Sequence, residues 1–166
     1  MSNRGLLLTM TEPPAEMEEE LNAWYDTEHM AERLAIPGFR SARRWVADCK
    51  PGEGKYLATY ELDSLAVLQS AEYLKYFNNQ TPWSRRCLAK MVVFRRWACE
   101  QVDPGRADPH AGARAIAFGT ADLSLPGALQ KRRFSASSGE TIVLQELGDW
   151  RVTPPPGVLL YRAYAA

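Results

Sequence analysis

Trp24-Tyr25-Asp26-Thr27-Glu28-His29-Met30, followed by Ile36-Pro37-Gly38-Phe39, is the stretch on which the reading of this chain turns. It gathers one of only two histidines, two carboxylates, a phenol and an indole, then stops a helix at a proline and launches a strand. Upstream, Met17, Leu21 and Trp24 recur at three- and four-residue steps that Ala31 and Ala35 continue. Glu16, Glu18, Glu19 and Glu20 enrich the first turns, as the helix dipole favours. The pattern predicts an amphipathic helix over 15–34. Before it, 5–11 reads as a buried first strand, and Thr11-Glu12-Pro13-Pro14 supplies a cap candidate and first-turn prolines.

Downstream, 39–47 reads as a strand, Lys50-Pro51-Gly52-Glu53-Gly54 as a turn and 55–62 as a further strand, which makes a hairpin. Asp63-Ser64 offers an N-cap for a second helix through Leu65, Leu68, Leu74 and Phe77 to Asn78-Asn79. Thr81-Pro82-Trp83-Ser84-Arg85-Arg86 reads as a connecting segment, and 87–98 as a long strand. The sum is an α+β chain whose residues 1–102 form a ferredoxin-like βαββαβ unit. Two helices cover one face of its sheet; the other face is open, and a homodimer is the simplest cover. Residues 103–112, with two prolines and two glycines, read as a linker. The segment 113–166 is β-rich, with strands expected over 113–120, 141–147 and 158–164 and a short helix over 128–133. It is either a truncated second repeat or a β extension that pads the open face.

At 166 residues and 46% hydrophobic, the chain can bury a substantial core. Twenty basic and twenty acidic residues cancel, with no basic stripe, so the field that draws a protein to nucleic acid is missing. The apolar run Leu6-Leu7-Leu8 is far shorter than a signal core or a membrane span, and the expectation is a soluble, cytoplasmic protein with no membrane partner. Three cysteines, Cys49, Cys87 and Cys99, at wide spacings and without a C-x-x-C pair, fit reduced thiols better than a disulfide framework or a zinc site. No metal is expected. Phosphate-loop, dinucleotide, zinc-protease and nucleophile-elbow signatures are absent from the sequence, which favours chemistry without a cofactor.

On a helical wheel at about 100° per residue, Glu28 falls inside the stripe set by Met17, Leu21 and Trp24, and His29 falls at its border. Burial would raise the Glu28 pKa unless Arg43, Arg44 or Arg86 arrives as a partner; the other reading is a helix that distorts near Thr27 and leaves Glu28 at the surface. His29 stacks one turn after Tyr25 and three residues after Asp26. It is either an acid/base group oriented by a carboxylate or a donor that closes the helix end. Trp24, Trp45, Tyr60 and Trp83 offer aromatic walls for a flat hydrophobic ligand, or packing for the core. Tyr56, Ala58 and Tyr60 share one face of their strand, Arg43 and Trp45 one face of theirs. Arg86, beside Arg85, is either a carboxylate clamp or a solvated cation.

The string from Trp24 to Met30, with Glu32-Arg33-Leu34-Ala35-Ile36-Pro37-Gly38-Phe39-Arg40-Ser41-Ala42-Arg43-Arg44-Trp45, resembles the signature of the EthD-like proteins of the dimeric α/β-barrel superfamily. Lys55-Tyr56-Leu57-Ala58-Thr59-Tyr60-Glu61-Leu62 and Thr81 to Arg86 extend the resemblance over roughly 5–100. It implies a sheet paired with another sheet in a barrel, with a pocket between sheet and helices. The superfamily includes polyketide cyclases, isomerases, cofactor-free monooxygenases and haem enzymes. The leading expectation is acid/base chemistry of cyclase, isomerase or decarboxylase type on a hydrophobic aromatic or polyketide-like molecule. In it His29 moves the proton, Asp26 or Glu28 orients it, and Tyr25 or Tyr60 steadies the oxyanion. The alternatives are a cofactor-independent monooxygenase and a non-catalytic ligand-binding accessory protein of a degradation pathway. Haem ligation by His29 would require an exposed imidazole in a large apolar pocket.

Overall fold

Alternating in-and-out residues line up in the computed structural model, which describes residues 1–165, so that eight antiparallel strands close into one barrel. The strands β1 (Gly5–Glu12), β2 (Phe39–Val46), β3 (Tyr56–Leu62) and β4 (Val93–Asp103) lie in the order β4-β1-β3-β2. The strands β5 (Ala115–Gly119), β6 (Ala128–Ala136), β7 (Thr141–Leu147) and β8 (Leu159–Ala163) lie in the order β8-β5-β7-β6. Counted from its own first strand, the second run repeats the order of the first. Pairing of β2 with β8 and of β4 with β6 closes the ring. The sheet face for which a homodimer was the simplest cover is therefore covered by the chain's own β5 to β8.

Register sets the two faces. Leu7 lies opposite Tyr60 and Ala98, and Thr9 opposite Ala58 and Arg96, so these side chains share the outer, helix-facing side. Leu6, Leu8, Met10, Leu57, Trp97 and Cys99 point inward and meet Ile116, Phe118, Phe134, Leu144 and Tyr161 of the second run in one interior. The segment 103–112 thus connects two parts of one core. Instead of the helix expected over 128–133, β6 runs there: Arg132, Phe134 and Ala136 are buried while Lys131 and Ser135 are exposed, a period of two that a helix cannot keep.

Outside the first run lie a 3₁₀ turn (Ala15–Met17), α1 (Glu18–Trp24), a π turn (Tyr25–His29) and α2 (Met30–Leu34). Further on come a second 3₁₀ turn (Leu65–Gln69), α3 (Ala71–Asn78) and α4 (Pro82–Ala89). Three expectations are corrected. The helix over 15–34 is not continuous in register: the Met30 N–H bonds to the Tyr25 carbonyl, inserting one residue and turning everything after it by about 100°. Consequently Ala31 and Ala35 are exposed, and Arg33 and Ile36 take the inward positions. The α-helical part of the second helix is capped by Ser70, not Asp63-Ser64, with Ser70 Oγ accepting from the Tyr73 N–H at 3.2 Å. The stretch read as a connector and the start of a strand is α4, because Thr81 caps it by accepting from the Ser84 N–H at 3.0 Å and Pro82 suits the first turn. At the end of α2, Gly38 adopts a φ of 96° and leaves no room for a Cβ against Val67, which is why the chain turns into β2 there.

Candidate functional site

Between the outer face of the first sheet and the helices lies a cavity of about 60 Å³, lined by Thr9, Tyr25, His29, Arg33, Tyr60 and Tyr73 and bordered by Phe77, Phe94 and Arg96. The π turn builds one wall. By adding a residue it brings Tyr25, His29 and then Arg33, one turn later, to face β1 and β3. His29 is held by rings: it stacks on Trp24 at 4.3 Å between centroids and meets Tyr25 edge-on at 5.2 Å and Tyr60 at 6.3 Å.

The polar chemistry of the cavity is unfinished. Thr9 Oγ1, His29 Nδ1 and Tyr60 Oη are buried with no hydrogen bond of normal geometry among the described residues, Thr9 and Tyr60 standing only near enough to interact weakly with each other, and all three belong to cavity-lining side chains. Leaving such groups unpaired costs about 1–3 kcal/mol each, which favours a polar molecule in their midst. Arg33 is buried, carries its guanidinium over the Tyr73 ring at 5.6 Å, and forms no ion pair among the described residues. Arg96 bonds the Tyr73 hydroxyl at 2.9 Å and likewise meets no carboxylate there. Burial, reinforced by the cations Arg33 and Arg44, brings the His29 pKa down to about 3, so the imidazole is neutral at physiological pH. Burial, together with neighbouring Tyr25, pushes the Tyr60 hydroxyl well above the usual phenol range, so it stays a hydrogen-bond donor. Two guanidiniums, a neutral imidazole and a locked phenol make a site that accepts an anion.

The residues singled out from sequence divide accordingly. His29, Tyr25 and Tyr60 meet in the cavity. Asp26 does not touch His29: its carboxylate pairs with Arg44 at 3.4 Å and accepts from the Tyr164 hydroxyl at 3.3 Å. Glu28 is turned aside by the π turn and accepts from Trp24 Nε1 at 3.1 Å and Thr81 Oγ1 at 2.9 Å, joining the helix to α4. Trp24 is a fully buried support behind His29, its indole N–H shared between Glu28 and Ser84. Trp83 packs half-buried in the layer between sheet and helices, outside the cavity. Arg86 is exposed and pairs with Glu20 at 3.1 Å.

Trp45 lies on the opposite side of the sheet, inside the barrel, with its indole bonded to Thr59 Oγ1 at 3.1 Å and Arg43 over its ring. Its neighbours there are Glu61, Arg132 and Glu146, a buried ion cluster around a cavity of only about 30 Å³. Thr9, Arg33, Tyr73 and Arg96 were not picked out from sequence. Arg33 had one legible signal, its position four residues after His29. The exposed imidazole that haem ligation would require is not what His29 presents: it is buried against Trp24, with a cavity of only about 60 Å³ beside it. Among the described residues no His, Cys, Asp and Glu cluster could hold a metal ion, and no helix is long and apolar enough to cross a membrane.

This architecture, a mixed α+β fold with a closed eight-stranded antiparallel barrel, is shared in outline with several solved structures. An anthrone oxidase-like protein superposes with a TM-score of 0.60 at 11% identity, covering 93% of this chain and 79% of its own. A candidate chlorite dismutase gives 0.58 at 11% identity, covering 99% and 96%. A candidate monooxygenase from Lactobacillus acidophilus NCFM gives 0.54 at 7% identity, covering 98% and 94%. At these identities the likeness is one of fold. No protein-family model matches the chain, and no curated protein matches it in sequence.

Proposed function

We propose that this protein is a small-molecule enzyme whose cavity at His29 binds a hydrophobic phenol or enolisable ketone and holds its anion. The observation that carries the reading is the convergence of three unpartnered buried polar atoms and the uncompensated Arg33 on one aromatic-walled cavity. On its own an imidazole of pKa about 3 is a weak base, but an oxyanion formed beside it raises its proton affinity, so His29 takes the substrate proton as that anion forms and Arg33 supplies the cation that holds the oxyanion. Tyr25 and Tyr60 flank that oxyanion, with the Tyr60 hydroxyl as donor. Asp26 and Glu28, engaged elsewhere, have no part in orienting the imidazole. The EthD-like resemblance of the motif from Trp24 to Trp45 and the ferredoxin-like order of the first four strands support the same placement of the site.

A carbanion or phenolate in a dry aromatic pocket can react with dioxygen directly, and the anthrone oxidase-like and monooxygenase neighbours favour this cofactor-independent oxygenase over a cyclase or isomerase. Oxygen uptake with anthrones, naphthols and β-keto acids, without added cofactor, is the deciding experiment. Uptake that falls about 100-fold or more in His29→Gln supports the oxygenase. Product formed without oxygen uptake makes the enzyme a cyclase or isomerase. Saturable binding with no turnover across the panel makes the protein an accessory ligand carrier.

A further inference from the structure

A second hollow adjoins the cavity. Between the 3₁₀ turn Leu65–Gln69 with α3 on one side and β4 on the other runs a groove of about 550 Å³, lined by Leu65, Ala66, Leu68, Leu74, Ala98 and Ser137. Groove and cavity have three wall residues in common: Tyr73, Phe77 and Arg96. Only side chains separate them. The partition is the hydrogen bond from Arg96 to the Tyr73 hydroxyl, with Phe77 beside the Tyr73 ring at 5.9 Å. Phe77 and Arg96 are largely exposed, and exposed side chains exchange rotamers on a nanosecond scale. The groove is walled mainly by Leu65, Leu68, Leu74 and Ala98, with Gln69 and Ser137 as its polar groups, and is cationic where Arg96 meets the cavity. That is the polarity of an organic acid whose head points inward.

We infer that the site has two compartments and that its substrate is an acid with a fused-ring body. The anionic head enters the cavity at His29 and Arg33, the rings lie in the groove beside Leu68 and Ala98, and Arg96 with Phe77 forms the movable wall between them. The inference rests on the reading of the cavity as an anion site and adds the occupant of the groove. The inner cavity, at about 60 Å³, has no room for a fused-ring body, so each further ring buries apolar surface only if the groove receives it. Leu74 and Phe77, exposed in a chain whose barrel is already closed, have the ring system as their cover.

Two chromophoric acids test this, 4-nitrophenol and 4-nitro-1-naphthol, whose spectra report ionisation on binding. Ala66→Trp and Ser137→Trp each place an indole in the groove at an exposed position outside the inner cavity. In the parent protein both acids bind as anions, the naphthol about tenfold more tightly. The plugged variants lose that tenfold advantage and bind the nitrophenol as before. Equal affinities in the parent, or an advantage that survives both plugs, overturns the two-compartment inference and leaves the anion site standing. Failure of the nitrophenol itself to bind removes the anion site and the inference with it. A plugged variant whose light-scattering mass drops would make the groove a seam between copies, which also overturns the proposal.

Discussion

His29 and Arg33 are two of the residues whose burial lowers the stability of this fold. The unfolded chain protonates the imidazole near 6.5, the folded chain only near 3, because burial comes first and two guanidiniums stand nearby. Between those values the unfolded state binds the extra proton. Stability is therefore whole above the upper value and falls as the pH drops through the window. His29→Gln should flatten that slope by up to about 1.4 kcal/mol per pH unit, measured as urea midpoints across the window. An unchanged slope would mean that the imidazole is protonated in the folded state. Arg33 makes the opposite test of sign. A buried cation without a carboxylate is costly, and Met matches its stem, so Arg33→Met should raise stability by about 1–3 kcal/mol while anion binding weakens at least tenfold. A variant that loses both stability and binding would show Arg33 to be a packing residue instead.

Elements with plain periodicity were legible: β1, the hairpin of β2 and β3, and β7 stand where alternation and turn residues put them. Of the residues that the sequence singles out, Tyr25, His29 and Tyr60 meet in the one cavity, while the orientation of the motif around them is not readable from its spacing. A wheel drawn with uniform steps sends Glu28 inward, and only the π turn hands that place to His29. Nothing in Tyr25-Asp26-Thr27-Glu28-His29 encodes the extra residue locally. The turn persists because Trp24, His29 and Arg33 all find partners under the sheet, while Thr27 Oγ1 satisfies the Ala23 carbonyl at 2.7 Å. If the π turn is an insertion, removing Thr27 should give a regular helix with both flanking faces still in register. That variant is expected to fold with a melting temperature at or above the parent's and to lose anion binding, since Tyr25 and His29 would no longer diverge around the cavity. An unfolded deletion variant would show that the helix was never in α register with the sheet.

For the whole molecule, the second half was the least legible part, because it keeps the strand order of the first without its helices. In their place the segments 120–127 and 148–158 lay Leu125, Val152 and Val158 over Ala115, Ala117 and Leu147, a cover with no helical period to read. What ties the halves together is partly charge. The β2 and β8 seam is short: among the described residues it pairs Trp45 with Ala163 and Val46 with Arg162, and the Tyr164 N–H bonds to the Arg44 carbonyl at 3.0 Å. Across the interior, Arg132 of β6 grips Glu61 of β3 through two bonds of 2.9 and 3.0 Å and Glu146 of β7 at 2.5 Å. Arg132→Met would leave two carboxylates buried together without their cation and should cost about 3–5 kcal/mol near neutral pH. Burial already holds the Glu61 pKa above the ordinary value against the pull of Arg132, so without that guanidinium the carboxyl takes up its proton still more readily. The loss should therefore shrink as the pH is lowered, and adding Glu61→Gln with Glu146→Gln should recover much of it at neutral pH. Chemical denaturation of the single and triple variants over a pH series measures both effects. A penalty that does not change with pH and is not relieved in the triple variant would assign the closure of the barrel to packing around Trp45, Phe134 and Leu144 rather than to the ion cluster.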